Sequence, residues 1–177
     1  WDIFPEDAYE SALAANVLDA KHIEAVAEEL RRVRPMPGVF DPAYVRRLHG
    51  THVKRETSKA ALVEAVRQDI RTFLEQNECT RAVCVWCGST EVFLEPTEVH
   101  GSVAAFERGL LANDPGIASS QIYAWACLKE GVPFANGAPN LTVDFPAARE
   151  LARDKGVPIA GKDFKTGQTL MKTVIAP

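Results

Sequence analysis

The chain has 177 residues, of which 46% are hydrophobic and 25% charged, and its formal net charge is −4. These totals are enough for one hydrophobic core, and the dispersed charges form no basic stripe of the kind that follows a phosphate backbone, which argues against nucleic acid as a partner. No apolar run approaches membrane-spanning length, so we expect a soluble, cytoplasmic protein without a membrane partner.

The first half of the chain predicts helices. A proline and two acids suit the first turn of a helix over about residues 5–17. Apolar residues three and four apart predict a second helix over about residues 19–30, which the prolines at 35 and 37 terminate. A short helix is expected over residues 42–49, and the strongest periodic segment predicts a helix over residues 57–76.

The second half alternates short apolar runs with helical patterns, which predicts parallel strands joined by right-handed helical crossovers. Strands are expected in RAVCVWCGS, VPFANG and VPIAG, the first of them covered on both faces. The helix ASSQIYAWACLKEG should have Ser119 or Ser120 as its N-cap and Gly131 just past its end. Other helices are expected from about residue 96, over FPAARELARDKG and over TGQTLMKTVIA. The predicted fold class is α/β, a Rossmann-like and mostly parallel sheet flanked by helices, as a single domain over residues 1–177.

Cys84 and Cys87 have the C-x-x-C spacing of redox dithiols and zinc knuckles. Because positions three apart on a strand point to opposite faces, their sulfurs should not converge. The sequence has no second pair of cysteines and no nearby histidine cluster that would complete a metal site. We therefore predict two small buried core residues and no metal.

Polar stretches follow all three predicted strands, and ligands bind beyond the carboxyl ends of the strands in an open parallel sheet. The stretches are CGSTE from Cys87, NGAPN from Asn136 and GKDFKTGQTLMK from Gly161. Glycine lets a ligand approach the backbone, and helix N-termini attract anions. We therefore expect Ser89, Asn136 and Lys165 to surround one cavity. Taken singly, the stretches could also be a helix cap, an Asn-Gly turn and solvated surface lysines.

The last stretch carries the chemistry of proton transfer. Lys172 follows Lys165 by seven residues, about two turns, so both fall on one face of the expected helix. Two ammonium groups beside one ligand stabilise anionic intermediates such as enolates and phosphates. Asp163 could orient either lysine or accept a sugar hydroxyl. The combination suits proton transfer beside the carbonyl of a phosphorylated substrate.

The chain resembles the myo-inositol-1-phosphate synthase (inositol-3-phosphate synthase) family along its whole length, with the bacterial branch closest. The resemblance is carried by WDIFPEDAYE, RPMPGVFD, VWCGSTEVFLEP, FERGLLANDP, YAWACLKEGVPFANGAPNLTVD and GVPIAGKDFKTGQTLMKTVIAP. It implies an isomerase that converts D-glucose 6-phosphate to 1D-myo-inositol 3-phosphate. NAD oxidises the sugar, enolisation and an intramolecular aldol closure follow, and the resulting NADH reduces the ring ketone. It also implies a homotetramer.

The resemblance assigns site residues by matched motif. Asp2 matches the aspartate of the family's GWDI motif near the cofactor, and the residues after the first strand fall at the TANT segment that contacts NAD. The implied cofactor-binding residues are Asp2, Cys87, Gly88, Ser89, Thr90, Asn136, Gly137 and Asn140, and the implied catalytic residues are Asp163, Lys165 and Lys172. Asn140 and Leu141 replace the glutamine and second asparagine of the family's NGSPQN motif. Relative to the family's GDDFKSGQTKMK, Lys162 replaces an aspartate and Leu170 replaces the middle lysine. Residue 170 therefore cannot carry the role that this lysine has in the family.

The family's glycine-rich dinucleotide loop lies upstream of WDI and its further lysines lie downstream of VIAP; no G-x-G-x-x-G-like turn occurs in these 177 residues. We therefore expect a central, incomplete portion of the enzyme that alone binds NAD weakly or not at all and lacks synthase activity. Two alternatives remain open: a non-catalytic Rossmann-like nucleotide or sugar-phosphate binding module, and a structural domain that pairs with other chains.

Overall fold

A computed structural model describes residues 1–88, 90–164 and 175. The chain divides into two compact units. The first comprises Trp1–Pro42 and Arg46–Arg55, and the second comprises Ala43–Val45 and Glu56–Pro177. Among the described residues, no helix combines the length and hydropathy that a membrane span requires.

Three short helices form the first unit: α1 (Ala8–Ala15), α2 (Ala20–Glu24) and α3 (Ala27–Arg32). Asp7 starts α1 because its side chain accepts the backbone N–H groups of Tyr9 and Glu10, each at 3.0 Å. Two isolated parallel bridges, Asp2 with Pro37 and Gly38 with Val53, hold the extended segments of this unit.

The predictions for this unit were only partly right. The expected single helix over residues 19–30 is wrong, because Val26 leaves the helical region (φ −125°, ψ 22°) between α2 and α3, and a β-branched residue favours that departure. The first helix ends at Ala15, where Asn16 takes a left-handed cap, so Val17 is 81% exposed instead of extending the apolar stripe. The segment 42–49 forms turns and no helix.

In the second unit, α4 (Lys59–Gln76) begins at Ser58, whose hydroxyl accepts the N–H of Ala61 at 3.2 Å, as predicted. The helix expected from about residue 96 is interrupted: a 3₁₀ turn and α5 are separated by Gly101 and the cap residue Ser102. Gly156 ends α7 in the left-handed conformation, as expected. The remaining bounds are Glu98–His100 for the 3₁₀ turn, Val103–Leu111 for α5, Ser119–Lys129 for α6 and Pro146–Lys155 for α7.

The sheet contains β1 (Cys84–Trp86), β2 (Phe134–Asn136) and β3 (Ile159–Ala160), in spatial order β1-β2-β3 and all parallel. The predicted α/β class and the predicted parallel direction of the strands are therefore confirmed. Trp86 faces α6, with its ring 5.2 Å from that of Tyr123, whereas Val85 on the opposite face is 46% exposed. The prediction that this strand is covered on both faces is wrong for the described residues, in which only the face towards α6 is packed.

The core of the second unit lies around α6, which is buried from Ser119 to Leu128. Phe106 of α5 lies 4.2 Å from Trp125 and 5.3 Å from Phe145, measured between ring centroids. All three aromatic residues are at most 1% exposed, and burial of each stabilises the fold by roughly 1.5–3 kcal/mol or more. The helix α6 is therefore the centre of the core of this unit.

Candidate functional site

Backbone hydrogen bonds join the three polar stretches at the carboxyl edge of the sheet. Gly137 N–H donates to the carbonyl of Trp86 at 2.9 Å, and Phe164 N–H donates to the carbonyl of Gly137 at 3.1 Å. Asp163 N–H adds a bond of 3.0 Å to Ala138. The described parts of the three stretches therefore lie side by side, because parallel strands all end at one edge. Ser89 and Lys165, expected at a common cavity with Asn136, lie outside the described residues.

Two glycines permit this close approach. A Cβ atom at Gly137 would lie 2.3 Å from Cε2 of Phe164 and 2.6 Å from the carbonyl oxygen of Trp86. Gly161 has φ +91°, and a Cβ there would lie 2.2 Å from the carbonyl oxygen of Asn136. Because neither position has room for a side chain, glycine is needed at both for the strands to stay in contact at their ends.

Asn136 shapes the loop after β2. Its side-chain oxygen accepts the N–H of Ala138 at 3.0 Å, and its amide nitrogen donates to the carbonyl of Asn140 at 2.8 Å. The residue is 2% exposed. Its side chain closes the NGAPN loop on itself, a local arrangement for which asparagine is well suited.

Glu91 connects this loop to α6 and to the stretch after β1. Its Oε1 accepts the N–H of Ser120 at 2.8 Å, and its Oε2 accepts the hydroxyl of Ser120 at 2.5 Å and the amide nitrogen of Asn140 at 3.2 Å. The N–H of Glu91 donates to Oδ1 of Asn140 at 3.1 Å. Both polar atoms of the Asn140 side chain are therefore bonded to Glu91, which is itself 6% exposed.

The predicted N-cap of α6 is wrong: Ala118 occupies that position, and Ser119 and Ser120 are the first two residues inside the helix. Glu91 supplies the acceptor that a capping serine would otherwise provide. A carboxylate beside a helix N-terminus is also favoured by the helix dipole. The packing of a residue far away in sequence has replaced local capping.

Burial raises the pKa of the Glu91 carboxyl above its usual value, while hydrogen bonds from Ser120, Asn140 and Ser119 act in the opposite direction. Glu91 was not among the predicted site residues, although it is the last residue of the polar stretch CGSTE. That position was the available signal, but a single acid at the end of such a stretch is also typical of a solvated loop.

The polar network continues away from Glu91. The hydroxyl of Thr142 donates to that of Ser120 at 3.0 Å, and Thr142 is fully buried. Gln121 donates to the carbonyl of Leu141 at 3.3 Å and accepts the N–H of Ala118 at 3.1 Å. Its buried polar groups have partners, so the network is rigid and extends from the loop after β2 into α6.

A cavity of about 170 Å³ opens over this network. Its polar lining residues are Thr90, Glu91, Ser120, Gln121 and Asn140, and its apolar lining includes Phe93. Phe93 is 73% exposed. Polar groups that converge beside apolar side chains are typical of a small-molecule site.

The stretch after β3 is described through Phe164. Asp163 is exposed and has a left-handed backbone with φ 71°, and Lys162 Nζ lies 3.7 Å from Oδ1 of Asp144. The other carboxylate oxygen of Asp144 is buried and has no hydrogen-bond partner in the described part of the chain. The predicted catalytic residues Lys165 and Lys172, and most of the helix expected to carry them, lie outside the described residues.

Cys84 and Cys87 lie in different surroundings. Cys87 is exposed after β1, whereas Cys84 is half-buried and neighbours the buried Cys127 of α6. The neighbouring Cys84 thiol and burial raise the pKa of the Cys127 thiol. The prediction that Cys84 and Cys87 point apart is consistent with these contacts, but Cys87 is not the core residue that was expected. Within residues 1–88 and 90–164, no cluster of histidine, cysteine and carboxylate side chains could hold a metal ion.

Asp2 belongs to the first unit. Its N–H donates to the carbonyl of Met36 at 3.1 Å, and its Oδ1 accepts the N–H of Phe4 at 3.1 Å. The side chain is exposed, and its assignment to the cofactor stays a prediction.

Comparison with known proteins gives a consistent result over the whole chain. A sequence model described as myo-inositol-1-phosphate synthase, of an NAD-binding type, matches residues 1–177. Inositol-3-phosphate synthase 1 of Bacteroides thetaiotaomicron is 48% identical over 100% of this chain and 42% of its own length. Inositol-3-phosphate synthase 1 of Oryza sativa subsp. japonica is 33% identical over 99% of this chain and 35% of its own length.

The fold agrees as well. The crystal structure of inositol-3-phosphate synthase from Caenorhabditis elegans matches with a TM-score of 0.90 and 27% identity, over 97% of this chain and 34% of that one. The chain thus spans about two fifths of the bacterial relative and about one third of the two eukaryotic ones.

Proposed function

Because this chain belongs to the myo-inositol-1-phosphate synthase family, we propose that it is the central portion of an inositol-3-phosphate synthase, an isomerase with NAD as cofactor. The proposed reaction converts D-glucose 6-phosphate to 1D-myo-inositol 3-phosphate. The observation that supports it best is the family match over residues 1–177, joined to a sheet edge at which the described parts of three matched motifs touch. The homotetramer, the cytoplasmic location and the absence of nucleic-acid or membrane partners belong to the same proposal.

The described residues fit a dinucleotide at the end of β1. Cys87, Gly88 and Thr90 are exposed there. A Cβ at Gly88 would lie 2.5 Å from Cζ2 of Trp86, so this backbone stays bare and open to close approach. When bound, NAD supplies a hydride acceptor and donor. We assign Cys87, Gly88, Ser89, Thr90, Gly137 and the loop closed by Asn136 and Asn140 to holding it; the assignment of Asp2 rests on the matched motif alone.

We assign the catalytic residues to proton transfer and to the stabilisation of negative charge. Lys165 and Lys172 would stabilise the oxyanions that form during enolisation and ring closure, because ammonium groups in a desolvated site lower the energy of developing negative charge. Asp163 would orient a lysine or accept a substrate hydroxyl. Its exposed side chain and its place beside Ala138 at the sheet edge are compatible with contact to a ligand there.

A chimeric enzyme tests the proposal. The matching segment of the Bacteroides relative is replaced by this chain, and formation of inositol 3-phosphate from glucose 6-phosphate is measured with NAD present. We expect turnover within about tenfold of the parent enzyme, since sequences that are 48% identical over the whole segment share one fold. A chimera that folds by circular dichroism, binds NAD and yields no product would refute the catalytic part and favour the binding module.

Lys165→Ala in the same chimera separates the two functions. For a catalytic lysine we expect turnover to fall by at least about 10³-fold while calorimetry shows unchanged NAD affinity. A binding module would instead lose ligand affinity only. Native mass spectrometry of the chimera without ligand tests the tetramer.

A further inference from the structure

The stretch after β1 and the loop after β2 are connected through two side chains. We propose that Glu91 and Asn140 form a clasp that positions the cofactor-binding backbone after β1, with Glu91 as a positioning residue and not a ligand of the cofactor. The ligand named here rests on the proposed function, whereas the clasp itself rests on the contacts below.

The clasp has two parallel hydrogen bonds. The backbone N–H of Glu91 donates to Oδ1 of Asn140 at 3.1 Å, and Nδ2 of Asn140 donates to Oε2 of Glu91 at 3.2 Å. One bond therefore uses the main chain and the other uses the side chain of the same residue. Such a pair fixes both the position and the orientation of Glu91, and with it the neighbouring exposed Thr90.

Each half of the clasp is anchored to a rigid element. Glu91 is bound to the first turn of the buried helix α6 by the N–H and hydroxyl of Ser120, at 2.8 and 2.5 Å. On the other side, the carbonyl of Asn140 accepts the amide of Asn136 at 2.8 Å, and Asn136 ends β2. These hydrogen bonds fix the position of the stretch after β1 relative to α6 and β2. A loop without them would not keep that position.

In each hydrogen bond of the clasp, one residue supplies the donor and the other supplies the acceptor. Glu91→Gln places an NH₂ group opposite the NH₂ group of Asn140, so two donors face each other. Asn140→Asp places two carboxylates at the same point, so two acceptors with like charge face each other. When the two substitutions are combined, the amide introduced at position 91 donates to the carboxylate introduced at position 140. That carboxylate still accepts the backbone N–H of residue 91, so both bonds are restored.

The double variant should therefore rescue the defect of each single variant. In the chimera we expect each single variant to raise the NAD dissociation constant about tenfold, the size expected when one buried polar group loses its partner, and the double variant to recover to within about threefold. In the 177-residue chain, hydrogen exchange of the residue-91 amide should speed up about tenfold in each single variant and return in the double variant.

Thr142→Val is the matched control. It removes a hydroxyl from the same buried network without touching either member of the clasp. It should lower overall stability comparably and leave NAD affinity and the residue-91 amide within about twofold of the parent. An equal loss of NAD affinity in Thr142→Val would show that the network acts through stability alone and overturn the proposal.

The outcomes separate this proposal from the proposed function. If the parent chimera does not bind NAD, the cofactor assignment fails, while the amide-exchange rescue still tests the clasp. If the parent chimera binds NAD and Glu91→Gln binds it equally well, the cofactor assignment stands and the positioning role is wrong. If the double variant recovers neither the NAD affinity nor the slow hydrogen exchange of the residue-91 amide, Glu91 and Asn140 do not pair as proposed.

Discussion

At the residue scale, the carboxyl edge of the sheet depends on backbone positions that admit no side chain. Gly161 and Gly156 both have positive φ, but their surroundings differ. A Cβ at Gly161 would lie 2.2 Å from the Asn136 carbonyl oxygen, whereas a Cβ at Gly156 would meet none of the described residues within 4 Å. A side chain at Gly156 would therefore cause backbone strain alone, whereas a side chain at Gly161 would cause both strain and a steric clash.

We predict that Gly161→Ala lowers the free energy of unfolding by about 3 kcal/mol or more, because strain and a backbone clash add. Gly156→Ala should cost only about 1 kcal/mol, since strain acts alone there. Urea denaturation of the two variants measures both values. Equal losses would mean that the ends of β2 and β3 separate without cost.

The raised pKa of Glu91 predicts the direction in which the stability of the fold changes with pH. Its folded-state pKa is raised above the usual 4.5 by burial, so the folded state holds the proton more tightly than the unfolded state does. Its contribution to stability is most favourable below about pH 4.5 and is lost as pH rises through the folded-state pKa. Relative to Glu91→Gln, the parent chain should therefore become less stable as pH rises above 4.5.

Urea midpoints for both proteins at several pH values measure this difference, and titration of all other groups cancels between them. A parent chain that gains stability over Glu91→Gln as pH rises would show that the hydrogen bonds to the carboxylate outweigh its burial.

At the scale of elements, a cluster of charges joins α4 to the end of α6. Glu130 accepts Nε of Arg67 at 2.6 Å and two bonds from Arg71 at 2.9 and 2.7 Å. Its side chain is 13% exposed, whereas Glu64 in the same cluster is 56% exposed. Hydrogen bonds from Arg71 and Arg67 lower the pKa of Glu130. The partly buried acid should matter more than the exposed one, because solvent screens an exposed pair.

We predict that Glu130→Gln costs about 1 kcal/mol at about pH 7 and that Glu64→Gln costs less than about 0.5 kcal/mol. Because the folded-state pKa of Glu130 is lowered, its stabilisation is present above its usual value of 4.5 and disappears as pH falls through the folded-state value. Thermal unfolding at about pH 7 and about pH 3 checks both statements. A Glu130→Gln deficit that is as large at the lower pH as at the higher one would assign the effect to packing.

At the scale of the whole molecule, the two units bury very different cores. In the first unit the buried apolar side chains are those of Ile23, Ala27 and Val39, and α1 has no buried residue. In the second unit α6 is buried over most of its length. Since local opening costs least where little apolar surface is buried, the two units should differ in stability.

Native-state hydrogen exchange should therefore show lower opening free energies for amides of α1–α3 than for those of α6. Asp7→Ala should speed exchange of the Tyr9 and Glu10 amides about fivefold, corresponding to the roughly 1 kcal/mol of a lost N-cap, and leave α6 unchanged. Uniform opening free energies across both units would show that the chain unfolds as one cooperative body.

From the amino-acid sequence alone we could predict the α/β class, the parallel direction of the strands, the bounds of α4 and the glycine that ends α7. Each of these depends on local patterns: apolar period, capping serine and the conformational freedom of glycine. It also indicated that polar stretches follow the three strands, which parallel topology places at one edge. The family match followed from the same motifs.

The exposure of Val85 and the cap of α6 follow from the tertiary structure alone, because each depends on which distant groups pack nearby. Glu91 is the clearest case, since nothing adjacent in sequence shows that its carboxylate meets Ser120 and Asn140, 29 and 49 residues away. Hydrogen-bond partners of a buried acid are chosen by the fold, whereas the periodicity that builds a helix is written in consecutive residues.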